Sequence, residues 1–175
     1  MNWSQLSWPL SDLANLPVEK RAELRALLSP LTPWCPNEGP QSDAYESKAD
    51  ELYFGGAAGG GKTQLLIGLA LTAHRDTLLL RRRAVDAKAI SKTLQTLEYG
   101  SWKWAGSGGE LRTPDARMIE VGGCEHDADK GKYQGSPHDL IAFDELPTFT
   151  ESQYTFIIGW NRPLNPRLYP NQRCR

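Results

Sequence analysis

An α/β fold, a mostly parallel sheet flanked by helices with an antiparallel addition, is predicted by three features of this sequence. Short apolar runs at residues 77–81 (TLLLR) and 139–145 (DLIAFDE) read as buried strands. Apolar residues recur at helical spacing over residues 63–73 and 85–99. A glycine-rich stretch, GAAGGGKT at 56–63, separates a compact β-prone run, ELYF at 51–54, from the first of those helices. Strand, loop, helix and strand in this order build a parallel sheet with covering helices.

The elements follow in chain order. Residues 1–29 read as a leader and an amphipathic helix, with Leu24, Leu27 and Leu28 at helical spacing after Pro17. Residues 30–41 are dense in proline and form an irregular connection, and residues 42–49 a short helix. The helix over 63–73 is buried, because Leu65, Leu66, Ile67, Leu69, Ala70 and Leu71 surround it with apolar surface. The helix over 85–99 ends near Gly100. From 101 to 137, Trp102, Trp104, Leu111, Met118, Ile119 and Val121 alternate with polar residues, which predicts short antiparallel strands; TPDA at 113–116 is a turn. Thr150 caps a helix running to about Trp160. Pro163, Pro166 and Pro170 in the tail cannot donate to a central ladder. The expected organisation is a leader and helix over 1–33, then one domain over 34–175 whose sheet is incomplete at its carboxyl end.

Composition narrows the class. A chain of 175 residues is long enough for one domain with a real core. Its formal charge of −1 argues against a strongly basic protein that coats nucleic acid. No apolar run approaches the roughly 20 residues of a membrane-spanning helix, so no membrane partner is expected. The start, MNWSQLSWPL, lacks the pattern of a secretory signal. Cys35, Cys124 and Cys174 form no CxxC pair, and Cys124 with His126 supplies only two ligands, so neither a zinc site nor a disulfide framework is expected.

The chemistry concentrates in two motifs. GAAGGGKT matches G-x-x-x-x-G-K-[ST] at every fixed position, the phosphate-binding P-loop. Gly56, Ala57, Ala58, Gly59, Gly60 and Gly61 wrap backbone amides around a phosphate, the glycines allowing close approach and positive φ. The following helix adds its N-terminal dipole. Lys62 brings a cation to the β- and γ-phosphates, and the Thr63 hydroxyl a ligand for Mg²⁺. The second motif is Asp144-Glu145 at the end of an apolar strand. Asp144 there can hold the Mg²⁺ shell, and Glu145 can orient and deprotonate the attacking water. A helix-capping pair is the plainer reading of the same two carboxylates. Together the motifs predict a P-loop NTPase of the additional-strand, catalytic-glutamate type, with ATP and Mg²⁺ bound.

With both motifs placed, residues 34–163 resemble the ATPase domain of tailed-phage terminase large subunits. The densest part is PWCPNEGPQSDAYESKADELYFGGAAGGGKT, with LLLRRR at 78–83 and KYQGSPHDLIAFDE at 132–145 also similar. The resemblance implies that Gln41 reads the adenine edge, and so a preference for ATP over GTP. It implies that Trp34 and Pro36 lie near the base. It further implies a motor that translocates double-stranded DNA into a procapsid, a homo-oligomeric ring in the full-length protein, a terminase small subunit and a portal protein as partners, and residence in the host or bacterial cytoplasm. This loop lacks the arginine that some terminases carry there, so a charge stabiliser must come from elsewhere; Lys130, Lys132 and Arg81 to Arg83 are the candidates, with solvated surface charge as their plainer reading. Neither the family's coupling motif nor its nuclease domain is matched, and the chain reads as a partial product. Three other classes share part of the pattern: a helicase or RecA-like ATPase, a nucleotide-binding regulatory module, and a small-molecule kinase.

Overall fold

The computed structural model describes residues 17, 20, 33–97, 100–105 and 108–162. The leader helix expected over 1–29 and the proline-rich tail lie almost wholly outside these residues. The described elements are α1 (Pro40–Glu46), α2 (Lys62–Thr72), β1 (Asp76–Arg81), α3 (Ala84–Thr96), β2 (Ser101–Ala105), β3 (Gly108–Arg112), β4 (Met118–Gly123), β5 (Leu140–Phe143) and α4 (Glu151–Ile158), with 3-10 turns at Asp127–Tyr133 and Leu146–Thr148.

The five strands form one mixed sheet in the order β2-β3-β4-β1-β5. β1 pairs in parallel with β4 and β5, whereas β3 is antiparallel to both β2 and β4. The expectation of a mostly parallel sheet is therefore corrected: parallel and antiparallel pairings are equal in number. The antiparallel share is larger because β2, β3 and β4 run as a meander, and the turn at 113–116 closes its second hairpin. There the Thr113 N–H donates to the Arg117 carbonyl at 3.1 Å, and the Arg117 N–H to the Thr113 hydroxyl at 2.9 Å. Trp102 and Trp104 fall on β2, but their side chains lie outside what is described.

The sheet is covered on both faces. Alternation along β1 divides its leucines: Leu79 packs under α1, α2 and α3 with Leu65, Ile90, Val121 and Ala142, whereas Leu78 and Leu80 point to the other face with Ile141, Tyr133 and Ile157 of α4. All three β1 leucines are fully buried, each worth about 1.5–3 kcal/mol. Two-sided cover is why this strand reads as a continuous apolar run. At its amino end two buried carboxylates align the strands. Asp139 accepts the N–H groups of Arg75 and Asp76 at 2.9 and 2.8 Å, and Asp76 faces His138 Nδ1 at 2.6 Å.

Residues 51–54, expected as a strand, form none. Leu52 and Tyr53 are exposed, and only Phe54 packs against the core. A β-prone run becomes a strand only with a ladder partner, and here a cleft of about 980 Å³ separates it from the free side of β5. Among the described residues no strand pairs with that side of β5. α4 meets its expectation: the Thr150 hydroxyl accepts the Gln153 N–H at 3.2 Å, and the Gln153 side chain answers from the Thr150 N–H at 3.1 Å.

Close approach requires glycine at position 68. A Cβ there would stand 2.2 to 2.5 Å from atoms of the Trp34 indole, far inside van der Waals contact. Gly68→Ala should therefore push Trp34 off the helix and cost about 1–3 kcal/mol, read as a lower urea midpoint with an unchanged slope. A second prediction concerns pH. Burial pushes the Glu120 carboxyl above the usual carboxylate range, against an opposing pull from His138. A raised folded-state value favours folding while the group is protonated, and that contribution is lost as pH rises through it. Glu120→Gln should melt higher than the parent at about pH 7, with the gap closing towards about pH 4.

Candidate functional site

The carboxyl ends of β4, β1 and β5 converge on the amino end of α2, where open α/β sheets bind their ligands. Residues 56–61 form a loop with Gly56, Gly59 and Gly61 at φ 143°, 81° and 73°. Gly61, in the left-handed region, is the N-cap of α2, and its carbonyl accepts the Leu65 N–H at 2.9 Å. No side chain caps this helix, and the amides of its first turn have no intrahelical acceptor. That is the electrostatic setting in which a helix N-terminus accepts an anion.

Side chains of the chain itself hold the loop shut. The Lys62 ammonium donates to the Gly56 and Ala57 carbonyls at 2.9 and 2.7 Å. From the far side, the Gln41 side chain, 5% exposed, donates to the Gly61 carbonyl at 2.9 Å and accepts the Asn37 N–H at 2.6 Å. Both of its polar atoms are thus engaged by backbone, and reading an adenine edge would require exchanging them. Trp34 packs on Gly68 and sits 5.6 Å, ring centre to ring centre, from Tyr45. Pro36 lies in the irregular connection that leads to α1. Ala58 and Gly60 complete the exposed loop, which the Gly60 N–H closes on the Ala57 carbonyl at 3.3 Å.

The acidic strand end meets this loop. The Asp144 N–H continues the β1–β5 ladder by donating to the Leu80 carbonyl at 2.8 Å. Its carboxylate, on a side chain 5% exposed, accepts the Thr63 hydroxyl at 2.9 Å and the Arg81 Nε at 2.9 Å, with Arg81 Nη2 at 2.8 Å. Glu145 follows at φ 63°, left-handed, and its side chain is 56% exposed with Oε1 3.5 Å from Arg81. The turn throws this carboxylate clear of the sheet, into the cleft also lined by Lys62, Tyr154 and residues 50–56. A hydroxyl and a carboxylate 2.9 Å apart are the hard oxygen donors that suit Mg²⁺. Among the described residues no group of three His, Cys, Asp or Glu side chains gathers, so a cation here would complete its shell with phosphate oxygens and water.

Five cations were candidates for a charge stabiliser, and four are engaged elsewhere. Arg83 forks onto Asp86 at 2.8 and 2.9 Å, Arg82 bonds Gln153, Lys130 pairs with Asp127 at 2.7 Å and Lys132 with Asp129 at 2.8 Å. Arg81 alone of the five touches the acidic pair. Register decides this: Leu80 stands opposite Phe143, so the next residues along, Arg81 and Asp144, fall side by side. The residue that sequence reasoning missed is Gln153. Its amide donates to the Cys124 and His126 carbonyls, both at 3.0 Å, and ties α4 to the loop after β4. Its signal was the capping-box spacing after Thr150.

Removing the Gln41 amide should free one wall of the loop. In Gln41→Ala the amide proton of Leu65, which shares the Gly61 carbonyl with Gln41, should exchange with solvent several-fold faster, while those of β1 keep their protection. No described helix is long and apolar enough to cross a membrane. Comparison with protein-family models, curated proteins and solved structures finds no match to this chain.

Proposed function

We propose that this chain is the ATPase part of a DNA-translocating motor of the terminase large-subunit type, a P-loop NTPase of the catalytic-glutamate kind. The observation that carries the reading is the 2.9 Å bond between the Thr63 hydroxyl and the Asp144 carboxylate. It joins the two motifs that hold a nucleotide's phosphates and its metal, although they lie far apart in sequence.

In this reading the loop amides and the α2 N-terminus receive the β-phosphate, and Lys62 leaves the Gly56 and Ala57 carbonyls for phosphate oxygens. Thr63 and Asp144 hold Mg²⁺, which supplies charge neutralisation to the phosphates when bound. Glu145, on its exposed turn, takes the proton of the attacking water. The water oxygen bonds to the γ-phosphorus, the bond from that phosphorus to the bridging oxygen breaks, and ADP and phosphate leave. Double-stranded DNA, a ring of subunits, a small subunit, a portal protein and a cytoplasmic setting are what the resemblance of residues 34–163 adds to this reading. A nucleotide-binding module without motor activity shares Lys62, Thr63 and Asp144 but has no need of Glu145 as a base.

Lys62→Ala should bind a fluorescent ATP analogue at least about tenfold more weakly, because the phosphates lose their one positioned side-chain cation. Equal affinity would reject the phosphate site. Glu145→Gln should keep Mg²⁺–ATP binding and lower steady-state phosphate release by about 10²-fold or more. Turnover that double-stranded DNA stimulates in the parent and not in Glu145→Gln supports a motor. Nucleotide binding with no turnover in either protein would favour the module.

A further inference from the structure

We infer that Arg81 is a positioning residue that acts as an internal counter-cation: it already neutralises the Asp144 carboxylate, and Mg²⁺ binds there in competition with it. The inference rests on the nucleotide reading above and adds a built-in competitor to it.

The geometry is specific. Arg81 ends β1 and is half-buried, its side chain 21% exposed, beside a carboxylate that is 5% exposed. Nε and Nη2 both address Asp144 Oδ2, at 2.9 and 2.8 Å, and this same oxygen accepts the Thr63 hydroxyl. Nη2 also lies 3.5 Å from Glu145 Oε1, so one guanidinium spans both carboxylates of the acidic pair. Oδ2 is thereby committed to three donors, which leaves Oδ1 as the carboxylate's open oxygen for a metal. A buried carboxylate with an arginine this close also holds any second cation less tightly, because the guanidinium already neutralises it. The arginine therefore does for the nucleotide-free site what the metal does for the loaded one. It keeps Asp144 aimed at Thr63 and compensated. The other four cations considered above cannot take this part, since their partners are Asp86, Gln153, Asp127 and Asp129.

The consequence is a trade between stability without ligand and affinity for the metal. Removing the guanidinium exposes Asp144 to the full cost of burial in the nucleotide-free protein, and at the same time removes the charge that competes with Mg²⁺ and frees Oδ2. A purely structural ion pair would give the first effect without the second.

The test uses the full chain, with Arg81→Ala, Arg81→Gln and Arg81→Lys. Binding of a fluorescent ADP analogue, which lacks a γ-phosphate that Arg81 could contact, is followed while Mg²⁺ is titrated, and melting is recorded without nucleotide. Arg81→Ala and Arg81→Gln should melt lower than the parent and reach half-maximal binding at about tenfold less Mg²⁺. That is the scale on which a neighbouring guanidinium changes a carboxylate's affinity for another cation, the proton. Arg81→Lys should stay near the parent in both readouts. If Arg81→Ala does not fold, Arg81→Gln, which keeps a donor and most of the stem, carries the comparison. An unchanged or higher Mg²⁺ requirement in the neutral variants would overturn the inference while leaving the nucleotide site standing. Failure of the parent itself to bind the analogue at any Mg²⁺ concentration would overturn the nucleotide reading, and this inference with it.

Discussion

Burying one carboxylate constrains most of this structure. Asp144 is 4% exposed at the end of a four-residue strand, where an uncompensated charge would cost several kcal/mol. It is compensated by a hydroxyl from the first turn of α2 and a guanidinium from the last residue of β1. Those two donors come from α2, which the glycine-rich loop leads into, and from β1, which pairs in parallel with β5. The register of that pairing, the seating of α2 and the path of the loop are therefore not independent choices. Each is fixed by the need to bring donors to the same oxygen.

The same economy governs the loop. Three of its glycines take positive φ, which leaves a backbone with many accessible states to restrain. Lys62 restrains it from within and Gln41 from α1, each through backbone carbonyls. On the proposed reading, an arriving phosphate would meet a loop already wound, with less ordering entropy left to oppose binding. In exchange, Lys62 must give up two charge-assisted bonds before it can serve an anion. The distance from Gln41 to Lys62 in sequence hides how close their work is: the carbonyl that Gln41 holds belongs to the N-cap residue just before Lys62.

Local patterns made much of this legible in the sequence. The apolar run of β1, the all-round apolar surface of α2, the Thr150 cap and the turn at 113–116 are each dictated within a few residues, and each formed close to where its pattern lay. The phosphate motif and the acidic pair could be placed on their elements for the same reason. Pairing is what a single sequence conceals. Residues 51–54 have the composition of a strand, yet a ladder partner is a property of the fold, and no described strand supplies one. The balance of parallel and antiparallel strands was misjudged on the same ground, since alternation in β3 and β4 gives an element but not its neighbour. Arg81 stood in a run of three arginines with nothing local to single it out; only the offset of β1 against β5 assigns it to Asp144. Gln41 illustrates the limit differently, because its residue type suits an adenine edge and a backbone carbonyl equally well.

The left-handed backbone of Glu145 has a consequence for which residues position 145 tolerates. A side chain with a Cβ costs on the order of 1 kcal/mol in this conformation, and β-branched residues cost more. Glycine would relieve the strain and firm up the turn between β5 and Leu146–Thr148, at the loss of the carboxylate. If all twenty residues were ranked here by resistance to denaturant, glycine and asparagine would lead and glutamate would stand well down the order. Ranked by turnover on the proposed reading, glutamate would stand alone. Folding and chemistry thus select different residues at this turn, and a chain drifting under selection for persistence alone would lose Glu145 early. On the proposed reading, stability is traded for work at this turn.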